Sequence, residues 1–156
     1  MEEKDFLALM AEQDTSLAVL KTNAYTKQFG VVLSEEDAKL LAKERVDILR
    51  KEQRVEFKGG ILPKLIFAFC DSPYIYQDNY VDTIGRLQEI FYLYKNESLD
   101  EVTDDELIEY MVREFHETCG GSLDYLQDTV LDKFAREIRE GNMDFIGAKR
   151  GRMDEI

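Results

Sequence analysis

The chain has 156 residues with 44% hydrophobic and 34% charged side chains, enough for one folded domain with a real core and too apolar for a disordered tail. Its formal net charge of −13 sets it against phosphate backbones and anionic membranes, so general nucleic-acid binding is not expected. Two cysteines, Cys70 and Cys119, make no disulfide framework, and no run of about 18 apolar residues predicts a membrane span. The acidic N-terminus carries no basic segment followed by a long apolar one, so no secretory signal is expected and the compartment reads as a reducing cytoplasm.

With only two prolines and nine glycines, the chain has little loop punctuation and favours helices joined by short connections. Residues 3–13 read as a short amphipathic helix carrying Phe6, Leu7, Leu9 and Met10. A second helix is expected from Ser16 to about Phe29, closed by Gly30, and Val31–Leu33 reads as an apolar connector. Ser34 then caps a helix whose first turn is Glu35-Glu36-Asp37, where acids meet the positive end of the dipole. On a wheel centred on Leu40, residues Ala38, Leu41, Ala42, Val46, Ile48 and Leu49 occupy an apolar arc between about 80° and 240°. Leu40 lies outside the arc, on the polar side. Arg45 falls at about 140°, near the middle of the arc.

A guanidinium at the centre of a buried face is costly without acceptors. Glu56, Asp71 and Glu97 are its candidate partners. Two readings follow. In one, Arg45 is an internal ion pair, or its stem is buried while its head reaches water. In the other, it is presented in a cleft to a carboxylate or phosphate ligand, with Glu56, Asp71 and Tyr74 lining the site.

Arg54 to Lys58 alternates polar and apolar residues, a pattern for one short extended segment before the turn at Gly59-Gly60. That turn lacks the ending of a phosphate-binding loop. Ile61–Cys70 is apolar almost all round and reads as a central helix, with a buried strand as the alternative. Asp71-Ser72-Pro73 breaks it. Tyr74, Tyr76 and Tyr80 either line a pocket or pack their rings in the core. Tyr80, Ile84, Leu87, Phe91 and Tyr94 then step by four and three along one face of a long helix, with Tyr92 beside Val81 on another side.

Thr103-x-x-Glu106 is a capping box opening a helix with Leu107, Ile108, Met111 and Phe115 inward. His116 and Cys119 are three apart and lack further soft ligands, so no metal site is expected. Cys70 reads as a small buried hydrophobe. Gly120-Gly121-Ser122 makes a helix–helix turn whose amides are also able to hold an anion. The last helix runs from Leu123 to about Glu140, with Leu123, Val130, Leu131, Phe134 and Ile138 inward. Beyond Gly141, Phe145 and Ile146 are candidates to dock back, and Lys149, Arg150 and Arg152 form a basic cluster in a tail expected to be flexible.

The segments GVVLS (Gly30–Ser34), Arg45, Glu56-Phe57, DSPYI (Asp71–Ile75), QEIFYLYKNE (Gln88–Glu97), DDEL (Asp104–Leu107) and GGSL (Gly120–Leu123) resemble a family of small bacterial proteins, mainly of Firmicutes, known only as a domain of unknown function. The resemblance spans about Asn23 to Leu131. It implies a cytoplasmic bacterial protein and supplies no activity, ligand or partner, and no cofactor is expected.

The expected fold is all-α, one helical domain over residues 1–141 made of about five to seven helices, with 61–70 central and 142–156 as a tail. The catalytic and nucleotide-binding patterns are absent, so an enzyme is not expected. The leading functional expectation is a protein-interaction module with a protein partner. The alternative is a small-molecule or anion-binding protein, or an enzyme, centred on Arg45. A DNA mimic that occupies a basic partner is the third reading.

Overall fold

The computed structural model describes residues 3–56 and 60–146. Among them the regular structure is entirely helical, with six helices of eight residues or more. None is long and apolar enough to cross a membrane. The chain divides into two compact units at Glu89/Ile90, inside the fourth long helix.

The first unit opens with α1, Glu3–Lys21, one helix where two were expected. Nothing in Gln13–Ser16 breaks a helix, and Thr15 and Ser16 are buried within it. The break comes at Thr22, whose hydroxyl donates back to the Val19 carbonyl at 2.5 Å. A short helical turn, Asn23–Thr26, and a 3-10 turn, Lys27–Phe29, lead to Gly30 at φ +83°.

Val31–Leu33 is extended, and side chains take the place of a neighbouring strand. The Thr26 hydroxyl donates to the Val31 carbonyl at 2.7 Å. The Asn23 amide accepts from the Leu33 N–H at 2.9 Å and donates to its carbonyl at 2.8 Å. The Gln77 amide treats Val32 the same way, at 2.8 and 2.9 Å. Backbone groups that would otherwise lose water are thereby paired.

α2, Glu35–Lys51, starts as its sequence requires, with Ser34 Oγ accepting from the Asp37 N–H at 3.0 Å. It buries Ala38, Leu41, Ala42, Arg45 and Leu49 and packs along α1. Arg54–Glu56 follows without strand pairing; the remainder of the expected extended segment lies outside the described residues. α3, Leu62–Phe69, has Pro63 in its first turn and buries Leu62, Leu65, Ile66 and Phe69. It is not apolar on every contact side: Lys64 is exposed, and Phe67 is 49% exposed, edge-on to Tyr25 with centroids 5.5 Å apart. Asn79 then organises the turn before the next helix, accepting from the Tyr76 N–H at 2.9 Å.

α4, Tyr80–Glu97, buries the whole predicted stripe of Tyr80, Ile84, Leu87, Phe91 and Tyr94. Tyr92 is buried too, so the helix is covered on more than one side.

In the second unit, α5, Asp104–Glu117, begins with the expected capping box. Thr103 Oγ1 accepts from the Glu106 N–H at 3.2 Å, and Glu106 Oε1 accepts from the Thr103 N–H at 3.1 Å. Leu107, Ile108, Tyr110, Met111 and Phe115 are buried. Gly120 and Gly121, both at positive φ, turn the chain. The last helical run starts at Leu123–Tyr125, passes through a π-helical turn, Leu126–Val130, and ends as α6, Leu131–Arg139.

That wide turn shifts the inward face. Leu126, Val130, Phe134, Ala135 and Ile138 are buried, while Leu123 and Leu131 are only half-buried. After Gly141 the chain docks back through Phe145, which meets the rings of Tyr110 and Phe134 at 5.5 and 5.7 Å. Arg113 Nη2 donates to the Phe145 carbonyl at 2.8 Å. The basic cluster of Lys149, Arg150 and Arg152 lies outside the described residues.

Candidate functional site

Arg45 sits where the helical wheel puts it, on the buried face of α2, and is 3% exposed. Its guanidinium is not satisfied by the partners expected from the sequence. Among the described residues, neither Nε nor Nη2 has a hydrogen-bond partner. Glu56 is half-buried, Asp71 and Tyr74 are exposed, and none of them bonds either nitrogen. Glu97 belongs to the second unit.

What does lie against Arg45 is the backbone of Gly60. A Cβ built on Gly60 would fall 2.9 Å from both Cζ and Nη2 of Arg45, and closer still to Nε. Gly60 also has φ +64°, a conformation that favours glycine. Its position, two residues before the first residue of α3, brings the guanidinium to the start of that helix. The sequence flagged Gly60 only as part of a turn.

The start of α3 differs from those of α2 and α5. Its N-cap, Ile61, offers no side-chain acceptor, and the first turn holds no acid. The first N–H groups of a helix have no acceptor within it and carry its positive partial charge. Through Gly60, the Arg45 guanidinium is a neighbour of an uncapped helix start. An arginine keeps its proton at any physiological pH, so its charge must be balanced from outside its own side chain.

Two surface grooves of the first unit were not foreseen. One, of about 570 Å³, runs between α1 and α2. α1 lines it with Leu9, Gln13, Ser16, Leu17 and Leu20, spaced four, three, one and three apart along one face. α2 contributes Glu35, Lys39 and Lys43, each one turn from the next. Leu9 is 42% exposed and Leu17 58%, large apolar side chains open to solvent. The signal in the sequence was the surplus of leucines in the first 20 residues, more than one buried stripe uses.

The other groove, of about 470 Å³, lies between α2 and the first half of α4. Leu40, the residue outside the apolar arc of α2, lines it, together with the carboxylates Glu44, Asp47, Asp82 and Glu89. Gly85 lets Glu44 lie across α4; a Cβ there would come within 2.8 Å of Glu44 Oε2. Burial, followed by the neighbouring Asp82, Glu89 and Asp47, raises the Glu44 carboxyl above its ordinary range.

The thiols and the histidine are not arranged for nucleophilic or metal chemistry. Burial and the Glu114 carboxylate push the Cys119 thiol up to about 11. Burial, then Asp71, raises Cys70 as well. Both shifts disfavour the reactive thiolate. His116 Nδ1 is 2.7 Å from the Val112 carbonyl, one turn back on its own helix. Among the described residues no group of three or more His, Cys, Asp or Glu side chains is placed to hold a metal.

A family model described as a family of unknown function, DUF6323, matches residues 18–144. The chain belongs to this family. No curated protein and no solved structure matches it. The match takes in α2 to α6, so Arg45, Gly60 and the start of α3 all lie inside the DUF6323 region, as does the acidic groove. Of the α1 stripe, only Leu20 falls within it.

Proposed function

We propose that this protein is a non-enzymatic interaction module that receives an amphipathic helix of a partner protein in the groove between α1 and α2. The observation that carries this reading is the row of solvent-open leucines along one face of α1, beside a parallel row of charged residues on α2. Two packed helices with facing stripes leave a trough suited to a third helix, whose apolar residues recur every three or four positions. From Leu9 to Leu20 the floor extends about 16 Å, at 1.5 Å per residue, which accommodates three turns. Lys39 and Lys43 on the rim favour carboxylates along one side of the incoming helix. Exposed apolar side chains gathered in one groove characterise contact surfaces, unlike isolated ones.

The test is site-specific photo-crosslinking in the cells that make the protein. A photoreactive residue in place of Leu17 is expected to join a different polypeptide, and the crosslinked peptide, read by mass spectrometry, should carry an amphipathic helical pattern. The same probe at Asp132, an exposed position on α6, should give no such adduct, and Leu9→Glu should remove the Leu17 adduct. Adducts only to a second copy of this chain, equal adducts at both positions, or none at Leu17 would overturn the reading.

A further inference from the structure

Apolar surface and negative charge share one trough between α2 and the first half of α4. Leu40, Ile48 and Val81 line it, and Leu40 is 46% exposed although Leu41 and Leu49 of the same helix are buried. Carboxylates on a surface are ordinarily just solvated. Here Glu44, Asp47, Asp82 and Glu89 border a groove of about 470 Å³ that already exposes a large apolar side chain.

The groove is short of positive charge. Among the described residues that line it, Arg86 is the one cation, set against four carboxylates. Lys51 reaches Glu89 from outside the lining, at 3.9 Å, but both side chains are largely open to water, where such a pair contributes little. Gly85 brings the acids together: a Cβ there would come within 2.8 Å of Glu44 Oε2, so the Glu44 side chain crosses α4 through space that a larger residue would fill. Burial, then Asp82, Glu89 and Asp47, raises the Glu44 carboxyl, the direction that crowded like charges give. A positive group entering the groove relieves that crowding.

We propose that the α2–α4 groove docks a basic helical segment of a partner protein. Lysine and arginine combine an apolar stem with a charged head. Their stems lie on Leu40, Ile48 and Val81, and their heads meet Glu44, Asp47, Asp82 and Glu89. A bare metal ion would leave the apolar side chains uncovered, and among the described residues no group of carboxylates is placed to hold one. From Leu40 to Ile48 the wall runs about 12 Å at 1.5 Å per residue, room for two turns of an incoming helix. The α1–α2 groove has the opposite preference, because Lys39 and Lys43 line it. α2 thus offers a different partner chemistry on each of its two sides.

The experiment titrates the isotopically labelled protein with a capped helical peptide about 15 residues long, a leucine stripe edged by lysine and arginine, following backbone amides by NMR in about 0.15 M salt. Saturable shifts concentrated at Leu40, Glu44, Ile48 and Gly85 are expected, and the same peptide with glutamate at its basic positions should not produce them. Leu40→Ser, and separately Glu44→Gln with Asp82→Asn, should each weaken binding about fivefold. Asp128→Asn with Glu140→Gln removes the same charge from exposed positions of the second unit and should leave binding unchanged. No saturable shift, shifts spread evenly over the acidic surface or confined to the α1–α2 groove, an equal loss in the Asp128/Glu140 variant, no loss in Leu40→Ser, or an alkyl diamine bound as tightly as the peptide would overturn the proposal. Failure here leaves the α1–α2 reading standing, because the two grooves share no lining residue.

Discussion

The two units differ in how they treat buried polar groups. In the second, such groups are met. The Tyr94 hydroxyl donates to the Leu126 carbonyl at 2.6 Å, Lys95 pairs with Asp104, and His116 bonds a carbonyl of its own helix. In the first, Asn23, Thr26 and Gln77 serve the connector's three carbonyls and two of its N–H groups, yet Arg45, the Tyr80 hydroxyl and Gln88 Oε1 have buried atoms with no partner among the described residues. Among the described residues, the buried side-chain atoms lacking a partner belong to this unit. A polar group kept dry and unpaired is a stability cost, and proteins concentrate such costs where another requirement is being met. The contrast sets the first 89 residues apart.

The largest expected effect tests the tightest point of that unit. Gly60→Ala must place a side chain at φ +64° and within 3 Å of the Arg45 guanidinium, which has to shift. The left-handed backbone should cost about 1–2 kcal/mol, read as a fall in the urea midpoint. A variant as stable as wild type would mean that Arg45 is not confined by Gly60.

A smaller effect compares two tyrosines on one helix. Tyr94→Phe removes a made hydrogen bond and should destabilise by about 1 kcal/mol. Tyr80→Phe removes a hydroxyl that lies near the Thr26 hydroxyl without a hydrogen bond of good geometry, and should cost less than Tyr94→Phe. Burial accounts for the high pKa of both: Tyr80 is pushed up to about 12, and Tyr94 is raised further. Equal losses for the two variants would erase the contrast between the units.

The smallest effect concerns the acidic groove. A carboxyl whose folded pKa is raised binds protons more readily when folded, so its penalty is present above that pKa and disappears as pH falls through it towards the ordinary carboxylate value. Glu44→Gln should therefore raise stability at about pH 7, and the gain should fade towards about pH 4. Urea midpoints at the two pH values measure it. A gain independent of pH would mean that packing across Gly85, and not charge, is responsible.

The features legible in the sequence were local ones. The Ser34 and Thr103 caps, the Tyr80-to-Tyr94 stripe and the burial of Arg45 depend on neighbours within one or two turns, and the helical wheel captures them. Contacts between segments distant in sequence did not show. Nothing in the order of residues announced that Gly60 backs Arg45 in place of Glu56 or Asp71. The expected break near Ser16 failed because a polar run without glycine or proline stays helical when tertiary burial supports it. Leu40 was a visible exception to a pattern, and it proved to line a groove.

The π-helical turn at Leu126–Val130 carries one residue more than a regular turn would hold. Deleting one residue there would let the helix close as a regular one with Phe134 and Ile138 still inward, whereas deleting one from the regular turns of α6 would swing every side chain beyond it by about 100°. The wide turn is thus the place in this helical run where a change of one residue in length is absorbed.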